Sequence, residues 1–234
     1  FPYTTLFRSA LEIVMVSVVS VLVFSIALYF IILKLFKKLT SDKANDFKIL
    51  NQHARTEKIV FLGDSLTDFF PVNDFFPDVE IYNRGIAGDN TSDVMRRLDG
   101  ITELKPQKLF LLIGINDFHR RKIRPEEMVE RIMKIVEALS DIPNIYIISW
   151  YPLNKTFLRF TWVFRNKANN AIIRKVNRLL EEKANALGYP FINVYDELID
   201  ENDNLKREYT LDGIHLSTKG YEQVVRKLKP YIYD

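Results

Sequence analysis

The pattern of apolar and polar positions divides the chain into two regimes. From Ile13 to Leu33, "IVMVSVVSVLVFSIALYFIIL", no residue is charged and the polar content is three Ser. As a helix this run spans about 30 Å, the thickness of a bilayer's hydrocarbon core. A buried soluble helix keeps a polar stripe, and this run has none. A signal peptide would be shorter and followed by a small-residue cleavage site, whereas "KLFKKLTSDK" follows here. The run reads as an uncleaved transmembrane helix. Downstream the apolar runs are short. "KIVFLG" (58–63), "VEIYNRG" (79–85), "KLFLLIG" (108–114), "NIYIISW" (144–150) and "PFINVYD" (190–196) predict strands. "LFLLI" does not alternate, as expected for parallel strands buried on both faces. Helical patterns fall at 92–104, 125–139, 166–187 and 218–231. Pro125 with Glu126 and Glu127 marks a helix start, and Gly188 marks a stop. The alternation predicts a three-layer α/β/α domain with a doubly wound, five-stranded parallel sheet and right-handed crossovers.

This divides the chain into residues 1–9, a transmembrane anchor over 10–36, a juxtamembrane linker over 37–57 with a short helix near 42–53, and an α/β domain over 58–234. The first nine residues, "FPYTTLFRS", match the translation of a sequencing adapter throughout. They are expected to be foreign to the gene, the other reading being an ordinary disordered tail. Lys34, Lys37, Lys38, Lys43 and Lys48 follow the apolar run. The positive-inside rule would put the domain in the cytoplasm. The natural N-terminal flank is not there to compare, so the side stays open. The expected location is a bacterial cell membrane, crossed once.

Composition narrows the chemistry. Hydrophobic residues make up 47% of 234, enough for a substantial core. The net charge of +3 is spread along the chain, which speaks against a nucleic-acid partner. With no Cys, disulfides, thiolate metal sites and Cys nucleophiles are excluded. The three His, at 53, 119 and 215, would all have to converge to make a three-His metal site, so such a site is not expected.

In such sheets ligands bind outside the carboxyl ends of the strands. The residues there are "GDSLTD", "NRGIAGDNT", "GINDF" and "WYPLN", and "LDGIHLS" precedes the last helix. Ser65 alone reads equally as a nucleophile or as a helix cap. It lies outside GxSxG, because Thr67 stands where the second Gly would be. No phosphate-cradling GxxxxGK[ST] exists. An aspartyl-phosphate pattern would want Asp at position 66, where Leu66 stands. "DGIH" adds Asp212 three residues before His215, a spacing that shares one face of a turn. Asp212 can then orient His215, and His215 can deprotonate Ser65. The N–H groups of Ser65 and Gly88 and the side chain of Asn116 are candidate oxyanion donors, each worth about 3 kcal/mol.

Four ordered blocks, "GDSLT", "GIAGDNT", "GIND" and "DGIH", resemble the SGNH/GDSL hydrolase superfamily over about 58–234. The run "YNRGIAGDNTSDVMRRL" with "KPQKLFLLIGIND" is especially similar to the branch of platelet-activating-factor acetylhydrolase catalytic subunits. The resemblance implies a flavodoxin-like sheet, a triad of Ser65, His215 and Asp212, and an oxyanion hole from Ser65, Gly88 and Asn116. It implies no metal or organic cofactor. Asp64 and Asp117 are read as supporting residues. "GDNT" departs from the commoner "GDTT", and Asn90 can still cap the next helix.

The expected activity is that of a membrane-anchored serine esterase. The substrate would be an acetyl or short-acyl ester, of a lipid or an O-acetylated glycan. Acyl transfer on the same site and a catalytically inactive tethered binding module are the alternatives. Oligomeric state is not specified. "DFFPVNDFF" offers Phe69 and Phe70, with Phe75 and Phe76 beyond them, as possible acyl-pocket residues, and Leu66 and Ile115 beside the site join that set; core packing is the competing reading. Tyr151–Lys167 interleaves aromatics with cations and suits an anionic lipid surface, the other reading being a solvated loop whose aromatics pack inward.

Overall fold

The computed structural model describes residues 2–120, 123–158 and 169–234; it describes no side chains of residues 2–11, 36, 37, 40, 41, 119, 120, 157 and 158. The chain separates into two units, Phe1–Asn45 and Asp46–Asp234. In chain order the elements are α1 (Pro2–Asn51), β1 (Ile59–Gly63), α2 (Ser65–Asp68), α3 (Val72–Phe75), β2 (Ile81–Gly85), α4 (Thr91–Met95), α5 (Asp99–Thr102), β3 (Lys108–Leu112), α6 (Ile115–Arg120), α7 (Pro125–Ala138), β4 (Asn144–Ile148), α8 (Lys155–Leu158), α9 (Asn170–Ala186), β5 (Phe191–Ile192), α10 (Tyr195–Leu198) and α11 (Thr218–Tyr233).

The first unit is helical. Within it Glu12–Leu35 is long and apolar enough to cross a membrane, with a mean hydropathy of 2.8. Where a linker with a short helix over 42–53 was expected, α1 continues unbroken to Asn51. No Gly or Pro occurs between Leu35 and Asn51 to stop it.

The second unit starts earlier than position 58, because the last turn of α1 packs on its edge strand. Arg84 of β2 donates from Nε and Nη2 to the Asn51 Oδ1 at 3.0 and 2.9 Å. The Asn51 amide donates onward to the Gly100 carbonyl. The Arg84 guanidinium also lies 4.8 Å from the centre of the Phe47 ring. The five strands are all parallel in the order β2-β1-β3-β4-β5. Across the middle of the sheet Phe61 pairs with Phe110 and Phe110 with Tyr146. Their rings stack at 4.7 Å in both pairs, each pair worth about 0.5–1.5 kcal/mol beyond its buried area. On α7, Met128, Val129, Ile132, Met133, Ile135 and Val136 form the buried stripe.

The expected helix over 92–104 is two short helices, α4 and α5, broken around Arg97. Residues 166–168 of the expected helix 166–187 lie outside the described residues, and α9 begins at Asn170. The short helices α3, α6, α8 and α10 were not expected, each being too short for a 3.6-residue periodicity to register, and the expected strand 190–196 is only β5, with α10 starting at Tyr195.

The strand register places the site. Gly63 sits beside both Gly85 and Leu112, so the segments leaving β1, β2 and β3 emerge side by side. Ser65, Gly88 and Asn116 belong to those three segments.

Candidate active site

Ser65 opens α2 directly after the turn from β1. Asp64 is the N-cap, its Oδ1 accepting the Leu66 N–H at 3.0 Å. Ser65 is largely buried, but its hydroxyl reaches His215: Oγ lies 2.9 Å from Nε2. On the far side of the ring, Nδ1 lies 2.6 Å from the Asp212 Oδ2. The other Asp212 oxygen accepts the backbone N–H groups of Ile214 and His215 at 2.9 and 2.8 Å. Burial pushes the Asp212 carboxyl up. The His215 imidazole hydrogen bond, together with the two N–H groups, outweighs burial and holds it below its ordinary value. A carboxylate kept ionised in this way fixes the imidazole with Nδ1 protonated, leaving Nε2 to accept from the serine.

The segment carrying His215 is anchored independently. Thr210 Oγ1 donates to the His215 carbonyl and accepts the Gly213 N–H, both at 2.8 Å. Asn154, after β4, donates its N–H to the Gly213 carbonyl at 2.8 Å. Tyr221 of α11 donates to the Leu66 carbonyl at 2.8 Å, tying the last helix to α2.

Gly88 has a φ of 84°, in the left-handed region that favours glycine. Its loop is clasped on both sides. Ile86 N–H donates to the Gly63 carbonyl at 3.1 Å, and Ala87 N–H donates to the Asp68 carboxylate at 2.9 Å. Asn116 follows Gly114, whose φ is 119° and whose position leaves no room for a methyl: a Cβ would stand 2.6 Å from the Trp150 ring. The Asn116 amide donates to the Asp89 carbonyl at 2.9 Å, which brings the third strand's segment onto the second's. Asn90 caps α4 as expected, accepting from Ser92 and Asp93.

Asp117 is buried. Its two oxygens accept from the Thr91 N–H and hydroxyl at 2.9 and 2.7 Å, joining α6 to the start of α4. Asp64 is also buried, and its Oδ2 has no hydrogen-bond partner among the described residues. Burial pushes its pKa up to about 7. The Leu66 N–H pulls the other way, and Asp89 and Asp117 add to the rise.

The four acyl-pocket candidates separate. Phe69 is 51% exposed, its ring centre 5.0 Å from that of His215. Phe70 instead belongs to the core: it stacks on Tyr221 at 4.9 Å and meets Phe61 edge-on at 5.6 Å. The two aromatics leave the end of α2 in different directions, and the second falls on the buried side. Leu66 and Ile115 are buried, as is Phe76, while Phe75 packs against the core. His53 is exposed at the end of α1, and the His119 side chain lies outside the described residues. Most of the aromatic and basic segment Tyr151–Lys167, including Phe160, Trp162 and Phe164, also lies outside them. A cavity of about 780 Å³ is lined by Lys58, Gln107 and Pro143, which precede β1, β3 and β4. It therefore lies at the opposite edge of the sheet from Ser65.

A parallel sheet of order β2-β1-β3-β4-β5 is the flavodoxin-like doubly wound arrangement, and here a serine, a histidine and a carboxylate stand in line at its carboxyl edge. Residues 61–223 match the GDSL-like lipase/acylhydrolase family, and the chain belongs to that family, whose members are hydrolases acting on ester bonds. It is 26% identical over 187 residues to N-acylneuraminate cytidylyltransferase of Escherichia coli, a match covering 77% of this chain and 40% of that protein's length. It is 24% identical over 182 residues to platelet-activating factor acetylhydrolase IB subunit alpha1 of Rattus norvegicus, covering 73% of each. A solved structure from Streptococcus pneumonia, provisionally described as a platelet activating factor, superposes with a TM-score of 0.76 at 29% identity. That superposition covers 85% of this chain and 94% of the other.

Proposed function

We propose that this protein is a membrane-anchored serine esterase working through an acyl-enzyme intermediate. Ser65 is the nucleophile, His215 the base, and Asp212 the group that orients and supports the imidazolium. One observation carries the reading: the unbroken line of contacts Ser65–His215–Asp212, at 2.9 and 2.6 Å, across 150 residues of sequence. His215 Nε2 takes the hydroxyl proton as Oγ bonds to the ester carbon. The carbonyl oxygen becomes an oxyanion facing the N–H groups of Ser65 and Gly88 and the second amide hydrogen of Asn116. Collapse breaks the ester C–O bond, and the imidazolium returns its proton to the leaving alkoxide. Water then repeats the sequence on the acyl-enzyme and restores Ser65.

The substrate class is an acetyl or short-acyl ester of a lipid or glycan. The acetylhydrolase relative supports acetyl as the first acyl group to test. The anchor is Glu12–Leu35, whose length and hydropathy suit a bilayer. Full-length protein in mild detergent is expected to cleave p-nitrophenyl acetate and to be labelled by a fluorophosphonate probe. Ser65→Ala should abolish both while leaving the far-UV circular dichroism spectrum unchanged. Activity persisting in Ser65→Ala would sink the assignment.

A further inference from the structure

One guanidinium ties the nucleophile turn to the loop that follows β2. Arg97 lies just beyond α4, with its side chain 12% exposed. Its Nε donates to the Asp89 Oδ2 at 2.8 Å, and its Nη2 donates to the Gly63 carbonyl at 3.1 Å. Gly63 ends β1 two residues before Ser65. Asp89 directly follows Gly88, and its carbonyl is the acceptor for the Asn116 amide. The three donors assigned to the oxyanion hole therefore all sit on groups that converge on this side chain. Ile86 and Ala87 are held by their own backbone bonds upstream of Gly88. Downstream of it, the side-chain tie back to β1 runs through Arg97.

Burial pushes the Arg97 guanidinium down and the Asp89 carboxyl up, and the attraction between them opposes both shifts. A buried ion pair of this kind is weak evidence for stability, since its desolvation offsets the Coulomb gain. Its geometry says more than its charge. A lysine ammonium could neutralise Asp89, but its donors all leave one nitrogen on a flexible stem, whereas Arg97 reaches Asp89 and Gly63 from two nitrogens held in one rigid plane.

We propose that Arg97 is the positioning residue of the oxyanion hole, setting the separation between the Ser65 turn and the segments bearing Gly88 and Asn116. The inference rests on the serine-esterase reading above. It predicts a defect in the chemical step and not in substrate binding, because displaced donors weaken contacts made to the developing oxyanion.

The test compares full-length wild type and Arg97→Lys in detergent. It measures p-nitrophenyl acetate hydrolysis and the rate of fluorophosphonate labelling, both normalised to the folded fraction from near-UV circular dichroism. The expected result is a fall of about 10- to 100-fold in kcat and in labelling rate. KM should stay within about threefold. A second variant, Arg97→Ala, should regain at least about tenfold in kcat with millimolar guanidinium and gain nothing from urea at the same concentration. Wild-type rates in Arg97→Lys would overturn the proposal, as would a loss carried wholly by KM. Collapse of the fold in both variants would also overturn it, since Arg97 would then serve the fold. Failure of the wild type to react with the probe would remove the serine-esterase reading itself, a separate outcome.

Discussion

Replacing Asp64 by asparagine should make the protein more stable in base than in acid, relative to the wild type. The carboxyl is buried beneath the nucleophile, with one oxygen on the Leu66 N–H and the other without a partner among the described residues. Burial raises its pKa from 3.8 to about 7. The folded protein therefore holds a proton that the unfolded chain releases between those values. Stability falls as pH rises through that window, and the full penalty is present above about 7. At about 1.4 kcal/mol per pH unit, the penalty is roughly 4 kcal/mol. The substituted amide would be neutral at every pH, and its carbonyl oxygen can still accept from Leu66. Its amide hydrogens inherit the position lacking a partner, a cost of about 1–3 kcal/mol that does not vary with pH. The Asp64→Asn variant should thus be no more stable than wild type near pH 4, should gain on it up to about pH 7, and should level off above that. Urea unfolding across pH 4–9, followed by tryptophan fluorescence, measures the difference; Trp150 is buried and well placed to report. A mutant-minus-wild-type difference that is flat across this range, or that runs the other way, would refute the reasoning.

The other expectations follow from the same geometry. Asp212→Asn should lower kcat by up to about 10⁴-fold with KM little changed, because an amide no longer selects the imidazole tautomer that Ser65 needs; steady-state kinetics on p-nitrophenyl acetate decide it. The Asp212 carboxyl is held below its ordinary value, so its stabilising contribution is present above the unfolded carboxylate range. That contribution is lost as pH falls through the folded value, and an acid melt of the Asp212→Asn variant should lack that loss. Phe70→Ala should cost about 3–5 kcal/mol in unfolding free energy, since it empties a stack between Tyr221 and Phe61. Phe69→Ala should leave stability within about 1 kcal/mol and instead raise KM for butyryl over acetyl esters. Equal effects of the two on stability would show that the buried and exposed assignments are wrong.

The contrast between neighbouring phenylalanines shows where a sequence stops being informative. Ser65, Gly88 and Asn116 could be proposed from the sequence because each lies in the segment leaving a strand, and Asp212 with His215 because "DGIH" spaces a carboxylate three residues before an imidazole. A strand that is apolar throughout announces its own carboxyl end, and parallel pairing then aligns those ends without further information. The aligned Gly63, Gly85 and Leu112 are enough to bring three loops together. Phe69 and Phe70 are consecutive residues leaving α2, and composition cannot say which one faces inward. The same limit hid Asn51 and Arg97. Asn51 reads as part of a polar linker until Arg84 is seen to grip it, and "DVMRRL" reads as part of a continuous helix. The helix is interrupted there, where Arg97 bonds acceptors 8 and 34 residues away. The residues proposed to perform chemistry are thus marked by their place in the secondary structure or by short spacing. Residues that hold that chemistry in register are marked only by partners distant in sequence, so their roles emerge once the chain is folded.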